Sequence, residues 1–374
     1  MADRLRATYR VRATAAAIEA RAKGLAVEQS VEMPLSAIDD PAVLDGIVGV
    51  VEEITERGED CFDVRLALAT ATTGGDAGQL FNMLFGNSSL QDDTVLLDID
   101  LPDDLLASFG GPNIGAAGLR ARVGASADRA LTCSALKPQG LPPDRLADLA
   151  RRMALGGLDF IKDDHGMADQ AYAPFASRVG AVAAAVDEVN RQTGGQTRYL
   201  PSLSGHLDQL RSQVRTGLDH GIDTFLIAPM IVGPSTFHAV VREFPEAAFF
   251  AHPTLAGPSR IAPPAHFGKL FRLLGADAVI FPNSGGRFGY SSETCQAVAE
   301  AALGPWGGLH ASLPVPAGGM SLARVPEMIA TYGPDVIVLI GGNLLEARDR
   351  LTEETAAFVA SVAGAASRGC GLAP

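Results

Sequence analysis

Short apolar runs alternate with amphipathic segments from about residue 130 onward. Each run ends in glycine, proline or polar residues, and a segment with helical periodicity follows it. In 142–156, for example, Leu146, Leu149 and Met153 form one apolar face. The pattern occurs eight times and predicts a (β/α)8 barrel rather than an open, doubly wound sheet. The strand-like runs are Leu131 to Lys137, Leu158 to Lys162, Arg198 to Leu203, Asp223 to Ala228, Ala247 to Ala251, Asp277 to Phe281, His310 to Val315 and Asp335 to Ile340.

The first part of the chain has a different pattern. The segments ATYRVRA, CFDVRLALA and TVLLDIDLP alternate apolar and polar residues like half-buried strands, and helical segments lie between them. This order predicts a small α+β domain of ferredoxin-like type with an antiparallel sheet. The glycine-rich stretch FGGPNIGAAGL marks the junction, so we expect one domain at 1–120 and the barrel at 121–374.

Composition narrows the class of protein. The chain has 374 residues, with 30 Lys and Arg against 43 Asp and Glu, a formal charge of -13. Without basic clusters, this balance argues against partners such as nucleic acid or an anionic membrane, because both are bound through Lys and Arg. No apolar run approaches the ~20 residues of a membrane span, and the N-terminus lacks a signal core. Cys61, Cys133, Cys295 and Cys370 lie far apart, as expected of a reduced cytoplasmic protein.

Polar residues follow the predicted strands, where a barrel carries its active site. Two of only four lysines in the chain, Lys137 and Lys162, stand at such ends. Glycine pairs follow the last two strands and are candidates for phosphate binding through backbone N–H groups, although glycine pairs also occur as simple turns. These glycines are Gly318, Gly319, Gly341 and Gly342.

The string KDDH at 162–165 is the most informative of these ends. In a strand, Lys162 and Asp164 point to the same side, with His165 just beyond. Asp164 and His165 can be metal ligands, whereas a lysine ammonium only donates. Lys162 becomes a ligand if CO2 adds to its neutral amine to form a carbamate, which requires burial to favour that amine. The alternative is a Lys162–Asp164 salt bridge that closes the strand.

Several segments together resemble the RuBisCO superfamily. GGLDFIKDDH resembles the motif that carries the carbamylated lysine and the metal ligands, and LTCSALKPQGL resembles the first barrel strand with its catalytic lysine. VEQS and FNMLFGN resemble the N-terminal segments that reach the active site. HPTLAG, PVPAGG and LIGGN resemble the ends of the fifth, seventh and eighth strands. The resemblance covers nearly the whole chain.

The resemblance implies a metal site of Lys162, Asp164 and His165, with CO2 bound as a carbamate on Lys162. Magnesium is the family's ion. His165 stands where the family has a glutamate, so Mn²⁺ or another divalent ion suits the site equally well. His165 is either a metal ligand itself or a group outside the ligand set that contacts the ligands.

The departures from the family pattern are as informative as the matches. Gln139 replaces a second lysine, Pro253 replaces an arginine, and the sixth-strand loop offers only Arg287 in place of a mobile lysine. We therefore expect a form IV, RuBisCO-like protein that does not fix CO2. In this view Gln139, Arg287, Glu28 and the four glycines contact a small phosphorylated sugar.

Two methionine-salvage activities fit such a protein: isomerisation of 5-methylthioribulose-1-phosphate and enolisation of 2,3-diketo-5-methylthiopentyl-1-phosphate. The enolase base is a lysine at the position of Asn87, so the isomerase is favoured, with Lys137 as its base. Asn87 would bind substrate hydroxyls. His252 is either the second proton-transfer group or a core residue.

Two further hypotheses stay open: a decarboxylase or transcarboxylase of an oxo-sugar-acid phosphate, and a regulatory relative without activity. The resemblance also implies a homodimer in which the N-terminal domain of one subunit closes the barrel of the other.

Overall fold

The computed structural model describes residues 3–369, which leaves Cys370 outside the described residues. Its N-terminal part is a four-stranded antiparallel sheet in the order β2-β3-β1-β4. Alternate residues of the central strand β1 are buried, because helices cover one face of the sheet. This is the predicted α+β arrangement. The strands are β1 (Arg4–Arg12), β2 (Val50–Gly58), β3 (Cys61–Ala69) and β4 (Thr94–Asp100).

Five helices belong to this part of the chain and to the connection that follows it. The Tyr9 hydroxyl in the sheet donates a hydrogen bond of 2.6 Å to the carbonyl of Leu84, which fixes a helix on the sheet. The helices are α1 (Ile18–Glu28), α2 (Pro41–Gly46), α3 (Ala77–Phe85), α4 (Asp103–Phe109) and α5 (Gly115–Arg122).

The rest of the chain forms the predicted barrel of parallel strands. Its ladders run as two arcs, β13-β5-β6-β7 and β12-β11-β10-β9-β8. Pro201 separates β7 from β8, so these two segments form a single barrel strand, and each of the eight predicted runs is confirmed. The strands are β5 (Leu131–Leu136), β6 (Phe160–Asp163), β7 (Arg198–Leu200), β8 (Ser202–Leu203), β9 (Thr224–Ile227), β10 (Ala248–Ala251), β11 (Ala278–Pro282), β12 (Leu313–Ala317) and β13 (Ile337–Leu339).

Helices cover the outside of the barrel, and short ones follow some strands at the mouth. The α-helices are α6 (Pro143–Leu155), α7 (Phe175–Thr193), α8 (Leu207–Asp219), α9 (Pro229–Val232), α10 (Pro234–Glu243), α11 (Ser292–Leu303), α12 (Val325–Tyr332), α13 (Gly342–Leu345) and α14 (Leu351–Gly369). A π-helical segment spans Pro264–Phe271. The 3-10 turns are Leu35–Ala37, Thr70–Thr72, Asn87–Leu90, Gly257–Ser259, Leu322–Arg324 and Arg348–Arg350.

The barrel interior is a packed core that is closed at its amino end by α5. Leu119 of α5 and Val123, the residue after this helix, pack against the inward side chains of the strands. The buried Asp277 carboxylate holds α5 in place: it accepts hydrogen bonds from the backbone N–H groups of Ile114 and Gly115 at 2.8 and 2.7 Å. It also accepts one from Phe249 N–H at the start of β10. With this end closed, the open end of the barrel is the carboxyl end of its strands.

Two further sequence expectations concern residues 3–369. No helix in this part of the chain is long and apolar enough to cross a bilayer. Cys61, Cys133 and Cys295 are free thiols. The boundary at 120/121 falls within α5 and stays a prediction.

Candidate active site

A cavity of about 660 Å³ opens at the carboxyl ends of the barrel strands. It brings together residues from β5, β6, β10, β11, β12 and β13 that are far apart in the sequence. Predicted site residues that line it are Lys137, Lys162, Asp164, His165, His252, Arg287, Gly318, Gly319, Gly341 and Gly342. The positions of these residues at the ends of predicted strands therefore predicted much of the lining of this cavity.

Lys162 lies at the floor of the cavity and is 4% exposed. The alternation of β6 turns Phe160, Lys162 and Asp164 toward the barrel axis, with Phe160 in the core below. The Lys162 Nζ donates a hydrogen bond of 3.0 Å to the Asp163 carbonyl. Burial lowers the pKa of the Lys162 ammonium, because removing its charge from water disfavours the protonated form. A neutral amine is the form that reacts with CO2.

Asp164 sits beside Lys162 and is held by two cationic or potentially cationic groups. The Lys137 Nζ lies 2.5 Å from one carboxylate oxygen, and the His165 Nδ1 lies 3.1 Å from the other. Burial alone would raise the pKa of Asp164, but the hydrogen bonds from His165 and Lys137 outweigh it and lower the pKa. Asp164 is therefore an anion at neutral pH.

The two histidines of the cavity stack on each other. The rings of His165 and His252 are 4.2 Å apart between centroids and 9° from parallel. His252 also receives two contacts from Thr254 at its Nδ1: the backbone N–H at 3.2 Å and the Oγ1 at 2.6 Å. Burial and the nearby positive charge of Lys162 lower the pKa of His252 well below its usual value. Both rings are thus fixed in orientation.

Asp163, the middle acid of KDDH, points away from the cavity. Its fully buried carboxylate pairs with Arg178 of α7 at 3.0 Å and accepts hydrogen bonds from the Tyr199 hydroxyl and Ser202 N–H. Arg178 also donates to the carbonyls of Ala168 and Ala173 in the loop after β6. These bonds hold the strand end and the loop that carry Lys162, Asp164 and His165.

The four predicted glycines form a second side of the cavity, in the loops after β12 and β13. Gly318 and Gly319 have φ values of 91° and 78°, which an L side chain rarely adopts. A Cβ on the neighbouring Gly286 would clash with the Gly318 carbonyl, so the loops after β11 and β12 touch backbone to backbone. A Cβ on Gly341 or Gly342 would meet nothing within 4 Å. Their backbone is therefore accessible to a ligand in the cavity.

Side chains connect these glycine loops. The Tyr332 hydroxyl donates to Asn283 Oδ1 at 2.5 Å, and Asn343 Nδ2 donates to the Met320 carbonyl at 2.9 Å. The second bond joins the loop after β12 to the loop after β13. The two glycine pairs are thereby fixed relative to each other.

The third side of the cavity is apolar. Pro253 and Leu255 from the loop after β10, with Phe288 and Tyr290 from the loop after β11, form this wall. Leu255 and Phe288 are 59% and 49% exposed, although both are large hydrophobic residues. The cavity thus has a charged floor, a glycine side and an apolar side. A smaller cavity of about 230 Å³ adjoins it across the two histidines.

Three predicted residues do not line either of these cavities. Asn87 donates hydrogen bonds to Glu28 at 3.1 Å and to Glu32 at 2.7 Å on the surface of the N-terminal domain. Gln139 packs against Gly166 in the loop after β6. Within one chain, Asn87, Glu28 and Gln139 are separate from the cavity.

The donor set decides whether a metal fits here. Among residues 3–369, no three His, Cys, Asp or Glu side chains lie together as a metal site. Asp164 and His165 supply one carboxylate and one imidazole, and a third donor would have to come from Lys162 as a carbamate. That set of two oxygen groups and one nitrogen suits a divalent ion. The residues therefore fit the family's metal on the condition that Lys162 is modified.

The barrel and its strand-end cavity define the class of α/β-barrel proteins that bind ligands at the carboxyl ends of their strands. Residues 115–346 match the family model of the ribulose bisphosphate carboxylase large chain, catalytic domain. The chain is 97% identical, over the full length of both proteins, to 5-methylthioribulose-1-phosphate isomerase of Rhodospirillum rubrum. It is 32% identical to 2,3-diketo-5-methylthiopentyl-1-phosphate enolase of Geobacillus thermodenitrificans, covering 87% of this chain and 83% of that one.

A solved structure agrees with these matches. The crystal structure of a RuBisCO-like protein from Rhodopseudomonas palustris superposes with a TM-score of 0.91 and 51% identity, covering 97% of this chain and 98% of that one. The chain belongs to the RuBisCO large-chain family, as a RuBisCO-like protein. Its relatives include enzymes, and the expected family is confirmed.

Sequence reasoning did not identify Thr254, Asp163 or Arg178 as parts of the site. Asp163 was visible as the odd member of an alternating strand end, which places it on the outer face. Thr254 follows His252 by two residues, a spacing that allows contact but does not predict it. Only the folded loop shows both Thr254 groups at the same imidazole nitrogen.

The glycine side generates a prediction about phosphate binding. In Gly342→Ala the added methyl group meets no protein atom, so we expect the melting temperature to stay close to the wild-type value. The methyl would occupy space beside the ligand and weaken the binding of inorganic phosphate about tenfold or more. Gly289→Ala is the matched control, since it also meets nothing within 4 Å and does not line the cavity. A phosphorus NMR titration that gives equal affinities for both variants would contradict phosphate binding here.

Proposed function

We propose that this protein is a cytoplasmic 5-methylthioribulose-1-phosphate isomerase that acts in methylthioadenosine and methionine salvage. The observation that carries the proposal is the contact of Lys137 with Asp164, 2.5 Å long, beside the buried Lys162 in the strand-end cavity. This contact supports a base that acts next to a metal site. The R. rubrum relative that bears this enzyme name is 97% identical.

The reaction moves a carbonyl group along a five-carbon chain without any net gain or loss of atoms. In the substrate the ketone is next to the carbon that carries the phosphate, and in the 1-methylthiopentulose-5-phosphate product it is next to the carbon that carries sulfur. Successive enolisations achieve this: a base removes a proton from a carbon beside the carbonyl, and a proton returns to a neighbouring carbon. The enzyme therefore needs a base, a source of protons and a way to stabilise enediolate oxygen.

Lys137 is the residue that we assign as the base. It reaches into the cavity from the end of β5, a third of its side chain is exposed, and Asp164 orients its Nζ. Lys162, as a carbamate, and Asp164 would hold a divalent ion, Mg²⁺ or Mn²⁺, with His165 either as a third ligand or as support for Asp164. When bound, such an ion would stabilise negative charge on the enediolate oxygens.

The two remaining sides of the cavity suit the two ends of this substrate. The glycine side, with Arg287 at the rim, would take the phosphate through backbone N–H groups. The apolar wall of Pro253, Leu255 and Phe288 suits a methylthio group, and the cation beside it, Arg287 over the Phe288 ring, is the one already assigned to the phosphate. A monophosphate with one apolar end fits this division better than a bisphosphate.

The enolase is the second candidate, because a relative with that name is 32% identical. Two features favour the isomerase. Asn87 stands where the enolase has its lysine base, and an amide cannot remove a proton from carbon. No lysine other than Lys137 and Lys162 lines the cavity in residues 3–369.

We further propose a homodimer with shared active sites. Asn87 and Glu28 lie on the surface of the N-terminal domain, and the adjacent Leu90 is 84% exposed. A second copy that covers this surface with its barrel mouth would bury Leu90 and bring Asn87 to the substrate. Gln139 would contribute from the loop after β5.

The assignment is tested by incubating the protein with 5-methylthioribulose-1-phosphate and Mg²⁺ in D2O. Proton NMR should show exchange and a new methylthiopentulose-5-phosphate. Lys137→Met should lower turnover by about 10²–10⁴-fold with Mn²⁺ binding retained, because only the base is lost. Lys162→Ala should abolish both turnover and metal binding.

Lys23→Met is the control for these variants, since Lys23 is exposed on α1 and does not line the cavity. It should be as active as the wild type. No turnover by the wild type would rule out the isomerase. Undiminished exchange in Lys137→Met would remove Lys137 as the base.

Shared sites are tested by mixing two inactive variants. Asn87→Ala damages the face that the N-terminal domain contributes, and Lys162→Ala damages the barrel. If the sites lie between subunits, refolding a mixture of the two should restore about a quarter of the wild-type sites, because each mixed dimer has one intact site. Mixed dimers that form, as shown by a size tag on one variant, but have no activity would contradict shared sites.

A further inference from the structure

Thr254 makes two contacts with a single atom of His252. Its backbone N–H donates to the His252 Nδ1 at 3.2 Å, and its Oγ1 lies 2.6 Å from the same nitrogen. Thr254 and His252 both line the main cavity and the smaller one beside it. The contact therefore lies at the reaction site rather than in the remote core.

These contacts determine where the histidine carries its proton. A backbone N–H can donate a hydrogen bond but cannot accept one, so the Nδ1 facing it must be an unprotonated acceptor. An imidazolium has a proton on both nitrogens, which this contact excludes. The backbone contact therefore favours a neutral His252 with its only proton on Nε2, and the Thr254 hydroxyl then donates to the same Nδ1.

The other edge of the ring is available to a ligand. Within residues 3–369, the Nε2 of His252 has no hydrogen-bond partner, and it is not among the buried polar atoms left unsatisfied. The stacked ring of His165 restricts rotation of the imidazole. The Nε2–H group is thus a fixed donor beside Lys162 and Lys137.

We propose that Thr254 is a positioning residue that holds His252 as the neutral Nε2–H tautomer, and that His252 donates a hydrogen bond to a carbonyl or enediolate oxygen of the substrate. This inference rests on the proposed isomerase. A donor aimed at an oxygen that gains negative charge stabilises the enolisation transition state. Neutral imidazole is suited to this role, because it polarises an oxygen without first taking up a proton.

These roles of Lys137 and His252 differ from those in a histidine proton relay. Lys137 exchanges protons with carbon, whereas His252 keeps its Nε2 proton and stabilises oxygen. A relay must accept a proton in one step and return it in another, so it needs an accessible unprotonated nitrogen. Nδ1, the unprotonated nitrogen of His252, is occupied by Thr254.

The first test is spectroscopic and does not depend on turnover. Nitrogen NMR of the full-length protein with labelled histidine should show His252 as a pure Nε2–H tautomer at pH 7, assigned by the signal that disappears in His252→Gln. Thr254→Val removes the shorter of the two contacts and leaves only the backbone N–H at 3.2 Å, so a fraction of the Nδ1–H tautomer should appear, and Thr254→Ser should restore the wild-type signal. A doubly protonated ring or a predominant Nδ1–H tautomer in the wild type would overturn the proposal.

The second test separates a donor from a relay. Glutamine carries an amide N–H near the position of the His252 Nε2 but cannot transfer a proton at neutral pH. His252→Gln should therefore keep kcat within about tenfold of the wild type, whereas His252→Leu should lose about 10²–10³-fold. Thr254→Val should lower kcat with little change in KM, and Thr254→Ser should recover it. Equal loss in the glutamine and leucine variants would overturn the donor role.

These outcomes are distinguishable from a failure of the proposed function. If the wild-type protein does not convert 5-methylthioribulose-1-phosphate, the isomerase proposal is wrong, and so is the donor role of His252 in that reaction. The NMR spectrum would still show whether Thr254 determines the tautomer of His252. A wild-type protein that is active but shows the wrong tautomer overturns the Thr254 proposal and leaves the isomerase standing.

Discussion

Burial of the Lys162 amine is the constraint on which the rest of the site depends. The side chain is almost completely removed from water at the floor of the mouth, above the packed interior of the barrel. Its charge loses hydration there, which lowers the pKa of the ammonium. The negative charge of Asp164 counteracts part of this effect, and the positive charge of Lys137, which pairs with Asp164, adds to it. An amine in this position is chemically prepared to react with CO2, which an arginine could not do.

The strand end that carries Lys162 is held by contacts on the outer side of the barrel. The carboxylate of Asp163 points outward to Arg178, and Arg178 also binds the loop that follows Asp164. Because side chains alternate along the strand, Asp163 faces the surrounding helices and Asp164 faces the cavity. Neighbouring strands complete the arrangement, since glycine loops face the charged floor and apolar side chains form the third wall. Rigid support of this kind is what positions reacting groups for proton transfer.

Much of this arrangement was predictable because it follows from periodicity and strand order. The eight apolar runs gave the barrel, and the residues after them gave most of the cavity, since parallel strands bring their carboxyl ends together. Pro201 split one run into β7 and β8, which apolar character alone does not show. Contacts between side chains were not predictable in the same way. The Thr254–His252 contact depends on the path of one loop, and the Asp163–Arg178 pair depends on how α7 packs against β6.

The position of Asn87 shows a second limit of sequence reasoning. Its family position suggests contact with substrate, yet within one chain it binds Glu28 and Glu32 on the surface. Sequence similarity identifies a residue's family position but does not specify which subunit's cavity it serves. In the proposed homodimer, a second copy would bring Asn87 to the cavity.

The central claim is that the buried Lys162 amine takes up CO2. Carbon NMR of the protein in isotopically labelled bicarbonate with Mg²⁺ tests it most directly. The account predicts a carbamate carbon signal in the wild type and in Lys137→Met, and its disappearance in Lys162→Ala. A wild-type spectrum without a carbamate signal, or a signal that persists in Lys162→Ala, would contradict it.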